Sequence, residues 1–127
     1  YKKAHRHGAG AHVIILGGEG YSLIWPDGAP LKKYEWHEGS MVVPPENWWH
    51  QHFNAGAKPA RYLALRAFGS KKYQGVRPRY QGAVDRKKGG AQIEYGDEEP
   101  IVRQWFEEAL AQRGLQSQMA RHYEKAS

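Results

Sequence analysis

The sequence predicts a mainly β fold, an antiparallel sandwich or barrel, followed by an arm and a C-terminal α-helix. Short runs rich in β-branched and aromatic residues recur from His12 to Phe68, with Gly, Pro, Asp and Asn clustered between them. Glycine (15), tryptophan (five) and tyrosine (eight) are abundant among 127 residues, as short strands and tight turns require. After residue 96 the apolar spacing switches from strand-like to helical. A chain of 127 residues suffices for one core. We read residues 1–68 as the β core, 69–96 as a basic, Gly-rich arm and 97–127 as a helix and tail.

Taken in order, "HVIILGG" is a β-branched run ended by two glycines, and "GYSLIW" follows it. "PDGAP" supplies a turn, "LKKYEW" alternates, and "SMVVPP" is a short strand stopped by two prolines. "ARYLALRAF" is the last clear strand of the core, and "AQIEY" is a candidate further on. In "GDEEPIVRQWFEEALAQRGL" Asp97 is placed to cap a helix, Glu98 and Glu99 stand in its first turn, and Pro100 sits where a missing N–H costs nothing. Ile101, Trp105 and Ala109, with Val102, Phe106 and Leu110, form its apolar stripe, and Gly114 is placed to end it.

The net charge of +6 is concentrated in "YKKAHRH" and in "GSKKYQGVRPRYQGAVDRKKGG". A nucleic-acid surface would interleave such charges with stacking aromatics. Tyr73 to Tyr80 hints at this without any recognised module, so no nucleic-acid partner is expected. The ordinary reading of such charge is a solvated basic surface, and a positive field around a pocket for a small anionic ligand is the other. No apolar run approaches the length that crosses a bilayer, and no membrane partner is expected. The absence of cysteine excludes disulfides and thiolate metal sites. No secretory signal pattern opens the chain, and a cytoplasmic location is expected. The chain opens at Tyr1 and not at methionine, as a fragment or processed form would.

Two His-x-His pairs carry the chemistry: His5 and His7, then His50 and His52. Residues i and i+2 of a strand share a face, so each pair presents two imidazoles side by side, an arrangement that suits a divalent metal. The segment from His5 to Asn54 resembles the cupin superfamily. Its first motif is His-x-His, three or four residues, Glu, six residues, Gly; here His5-Arg6-His7, three residues, Ala11, six residues, Gly18. Its second motif is Gly, five residues, Pro-x-Gly, two residues, His, three residues, Asn. Here it reads Gly39, five residues, Pro45-Glu46-Asn47, two residues, His50, three residues, Asn54. Asn47 replaces a glycine, and asparagine tolerates left-handed backbone better than other side chains. Ala11 replaces the glutamate that is often a fourth ligand, and the adjacent His12 is expected to face the opposite side of the strand.

The resemblance implies a jelly-roll barrel and a metal site made by His5, His7 and His50. Three histidines without the glutamate resemble the gentisate and salicylate 1,2-dioxygenase branch, which implies a non-haem Fe(II) centre with open positions for O2 and an aromatic or related carboxylate. Imidazoles also accept Mn, Ni, Cu, Co or Zn. His52 reads either as an acid–base group in the cavity or as a hydrogen-bonded histidine of its wall. Of Arg61 and Arg66, on opposite faces of one strand, Arg66 is preferred as an inward carboxylate clamp. Trp48 and Trp49 read as a substrate-stacking pair or as core cover. Two other functions fit the same residues: a metallocupin, copper-containing for instance, that binds or oxidises saccharides, and a metal-binding cupin without catalysis. A homodimer or larger homo-oligomer is expected. Cupins place one or two strands before the first motif, so strands are expected from a segment preceding Tyr1; another chain, or the arm after Gly69 folding back, are the other sources.

Overall fold

The structure, a computed structural model, describes residues 1–8, 10–66 and 83–123. Among the described residues six strands form two antiparallel sheets: β1 (Ala11–Gly17), β2 (Gly20–Trp25), β3 (Lys32–Trp36), β4 (Met41–Val42), β5 (Trp49–Asn54) and β6 (Arg61–Arg66). One sheet has the order β4-β1-β6, the other β3-β2-β5. The described residues then form the helices α1 (Pro100–Ala111) and the short α2 (Ala120–Tyr123). The mainly β reading with a C-terminal helix therefore holds. The stretch Tyr73 to Tyr80, and with it most of the expected arm, lies outside the described residues.

Three layers result, and the alternation of side chains decides their order. Tyr21, Leu23 and Trp25 of β2, with Trp49 and Phe53 of β5, pack on Val102, Phe106, Ala109 and Leu110 of α1. From the opposite face of the same sheet, Ile24 and Trp36 meet Ala11, Val13 and Ile15 of β1 and Val42 of β4. The middle sheet is covered on both sides, which is why all six residues of β2 are buried. Gly20 is obligatory at the start of β2, because a Cβ there would overlap the Phe53 carbonyl oxygen and the Trp36 ring.

The N-terminal segment is held at the margin of this middle sheet. His5 and His50 exchange backbone hydrogen bonds, N to O, of 3.1 and 2.9 Å. On its other side the returning chain lies against it: the Arg6 amide donates to Ala91 O (3.0 Å) and the Ile93 amide to Ala4 O (2.9 Å). The segment "AQIEY" thus pairs through a single bridge residue, Gln92, and does not make a full strand. Of the three expected sources of extra chain beside His5, it is residues 91–93, at the end of the arm, that lie against this segment.

Helix α1 begins differently from the sequence expectation. Its N-cap is Glu99, without a side-chain cap, and Pro100 takes the first helical position. Asp97 instead ends a 3-10 turn, Tyr95–Asp97, and pairs with Lys87. Glu98 is drawn under the sheet, where its carboxylate accepts from Tyr1 Oη (2.9 Å) and Gln51 Nε2 (2.7 Å). Gly114 has φ 68° and closes the turn after α1, as its position suggests.

Candidate metal centre

His50 and His52 alternate with Trp49, Gln51 and Phe53 along β5, so the imidazoles face the β4-β1-β6 sheet while the others face α1. The bridge of His5 to His50 brings the first His-x-His pair to the same side. One ligand nitrogen from each of His5, His7 and His50 lies within 4.8 Å of the others, a group that can hold a metal ion. Ring centroids are 4.4 Å apart for His5 and His50, 4.7 Å for His7 and His50, and 5.8 Å for His5 and His7. The two sequence motifs are also stitched together by backbone: the Asn47 amide donates to His7 O at 2.9 Å. Asn47 has φ 61°, so it does stand in left-handed conformation at the position of the missing glycine.

Hydrogen bonds behind the rings select the tautomers. His5 Nδ1 lies 3.2 Å from Lys3 O and His50 Nδ1 lies 3.0 Å from Trp48 O. A carbonyl only accepts, so in both rings Nδ1 carries the proton and Nε2 keeps its lone pair for a metal. Burial pushes His50 down to about 3 and His5 down to about 4, with mutual repulsion among the imidazoles adding to the effect. Both rings are therefore neutral at pH 7, the form that ligates.

His52 is arranged differently. Trp36 Nε1 donates to Ser22 Oγ (3.0 Å), and Ser22 Oγ lies 2.7 Å from His52 Nδ1. Ser22, fully buried, completes its bonding by donating to Nδ1, which leaves the His52 proton on Nε2. Burial pushes this ring down to about 4 as well. His52 is outside the three-histidine group and presents a donor where the other rings present lone pairs.

The three histidines and His52 line a cavity of about 130 Å3 with Lys2, Ala11, Val13, Pro44, Tyr62, Ala64 and Arg66. Ala11 and Arg66 face each other in the β1–β6 register, and His12 is exposed on the other face of β1. Lys2 and Arg66 are cationic, and no carboxylate is among the described lining residues. Arg61 does not line it. Neither does Trp48, which lines a separate groove of about 470 Å3 with Tyr34, Trp36 and Met41. Trp49 is 2% exposed in the core under α1, so the expected stacking of Trp49 on a substrate is corrected: it has no face to offer.

Sequence reasoning missed Lys2, Ser22 and Tyr62. Tyr62 could have been found, since it shares the alternation that puts Arg66 inward. Ser22 faces His52 only through the β2–β5 register, and Lys2 follows from an irregular segment. Comparison of the chain with protein-family models, with curated proteins and with solved structures finds no match. Among the described residues no helix is long and apolar enough to cross a membrane.

Proposed function

We propose that this chain is a cupin-type metal-dependent oxygenase, with Fe(II) held by His5, His7 and His50, acting on a small anionic aromatic or related carboxylate. One observation carries the reading: three converging imidazoles share a cavity with Lys2 and Arg66 and with no described carboxylate. Bound there, the divalent ion would supply open coordination positions and a redox centre for O2. Arg66 would receive the substrate carboxylate on its planar fork, and Lys2 would add positive charge at the mouth. His52, fixed by Ser22, would donate from Nε2 to an oxygen of the substrate and hold that proton in place. Ala11 leaves open the space that a longer side chain at that position would fill. A cavity of about 130 Å3 suits a compact substrate, being well below the roughly 300–1,000 Å3 of pockets for drug-sized ligands.

The test is oxygen uptake by Fe(II)-loaded protein offered hydroxybenzoates. Uptake that His50→Ala abolishes, and that Arg66→Met reduces mainly by raising KM, supports the reading; no uptake with any small aromatic carboxylate overturns it. A second reading, saccharide binding, draws on the groove that Trp48 lines with Tyr34 and Trp36. Quenching of tryptophan fluorescence by oligosaccharides, lost in Trp48→Ala, would favour it. Association into a homodimer is supported by the apolar outer face of the β4-β1-β6 sheet, where Leu16, Met41, Leu63 and Leu65 are exposed.

A further inference from the structure

We infer that Arg6, Asp27 and Trp49 form a clasp that sets the spacing of the two ligand-bearing segments, with Arg6 and Asp27 as positioning residues for the metal site. The inference rests on the three-histidine reading above. Arg6 lies between the ligands His5 and His7, and Trp49 directly precedes the ligand His50. Neither side chain lines the cavity, and behind it the two meet: the Arg6 guanidinium carbon lies 4.5 Å from the centre of the Trp49 ring. A single carboxylate joins them. Asp27 Oδ2 accepts from Arg6 Nη1 at 2.9 Å, and Asp27 Oδ1 accepts from Trp49 Nε1 at 3.0 Å. Both bonds hold the Asp27 carboxyl below its ordinary range.

The position of Asp27 makes the bridge directional. Trp25, the last residue of β2, pairs with Trp49, and the turn that follows is closed by the Ala29 amide on Pro26 O (3.1 Å). Asp27 is thus fixed to the middle sheet and reaches outward to Arg6. Residues 4–8, by contrast, belong to no regular strand and pair with β5 only at His5 and His50. His7, two residues beyond that bridge, is the ligand whose place is least determined by a ladder. An anchor on Arg6 limits the rotation of this same stretch. As an exposed ion pair alone, Arg6 with Asp27 would add little to stability. Its effect is geometric, because the same carboxylate also satisfies the N–H of a buried indole.

The experiment is Co(II) titration followed by its visible absorption, with amide hydrogen exchange at His5 and His50 measured on the metal-free protein. Arg6→Met and Asp27→Asn, the latter able to keep the Trp49 bond, should each weaken Co(II) binding about tenfold. The double variant should be no weaker than the worse single, because both remove one device. Arg6→Lys should retain more of the binding than Arg6→Met, since an ammonium can still pair with Asp27 and lie over Trp49. In metal-free Arg6→Met the His5 and His50 amides should exchange faster. Co(II) affinity unchanged within about twofold in Arg6→Met, additive losses in the double variant, or unchanged exchange at both amides would each overturn the clasp. Wild-type protein that takes up no Co(II) would overturn the metal reading itself, an outcome distinct from wild-type uptake that Arg6→Met leaves intact.

Discussion

The two faces of β5 divide the work of this protein. Toward α1 it sends Trp49, Gln51 and Phe53 into an apolar core; toward β1 and β6 it sends His50 and His52 into a polar cavity. Each face buries titratable groups, and burial moves them in opposite directions for one reason, the penalty on the charged form. The Glu98 carboxyl, held by Gln51 and Tyr1, is pushed up to about 7 by desolvation, while the imidazoles fall to about 3 to 4. The helix face should therefore carry most of the stability and the cavity face the ligation, the two joined at the edge through the Trp49–Asp27 bond.

The largest expected effect breaks the helix face. Phe106→Ala removes a buried ring that meets Phe53 at 5.8 Å and Tyr1 at 4.9 Å between centroids. It should lower unfolding free energy by about 3–5 kcal/mol. Metal affinity measured well below the melting temperature should change little. If it falls in proportion to stability, the two faces are not separable.

Next comes the pH dependence, which sets the faces against each other. Imidazoles with folded values below their usual one contribute stability that is complete above pH 6.5 and is lost as pH falls toward 3 to 4. Glu98, whose folded value is raised, contributes stability below pH 4.5 that is lost as pH rises through about 7. In the metal-free protein the two slopes oppose each other between pH 4.5 and 6.5. Glu98→Gln should remove one of them. The amide oxygen introduced by that substitution can still accept from Gln51, and the Tyr1 hydroxyl can turn to Tyr123, 2.9 Å away. We expect this variant to be more stable than wild type at pH 8 by about 1–3 kcal/mol, and to lose stability more steeply on acidification. Denaturant unfolding across pH 4.5–8 measures both, and a slope unchanged by the substitution would refute the assignment to Glu98.

The smallest effect concerns Tyr21, stacked on Phe53 at 4.5 Å, whose buried hydroxyl has no hydrogen-bond partner among the described residues. Tyr21→Phe removes a desolvated hydroxyl and keeps the ring. Stability should stay the same or rise by up to about 1 kcal/mol. A clear loss in thermal denaturation would show that the hydroxyl is satisfied after all.

Much of this arrangement was legible in the residues. Strand positions followed from apolar alternation and turn residues. The outward placement of His12 and the left-handed Asn47 followed from the motif positions that the resemblance implies for Ala11 and Asn47, taken with strand alternation and backbone preference. What escaped depended on the third layer. Alternation along "WHQHFN" separates two faces but does not say that both are covered, so the deep burial of Trp49 could not be read from it. Asp97 looked like a helix cap because nothing in the chain announced the 3-10 turn before it, or that Glu98 would be drawn to Gln51. The pairing of residues 91–93 with 4–6 joins segments far apart in sequence, with no turn signal between them.

The functional reading stands or falls on whether His5, His7 and His50 hold one metal ion between the sheets. Loading with Fe(II) or Co(II) under anaerobic conditions, desalting, and counting metal per chain tests it directly. We expect about one ion per chain for wild type and for the outward-facing His12→Ala, and almost none for His7→Ala or His50→Ala. Metal retained in full by His50→Ala, or lost in His12→Ala, would contradict it.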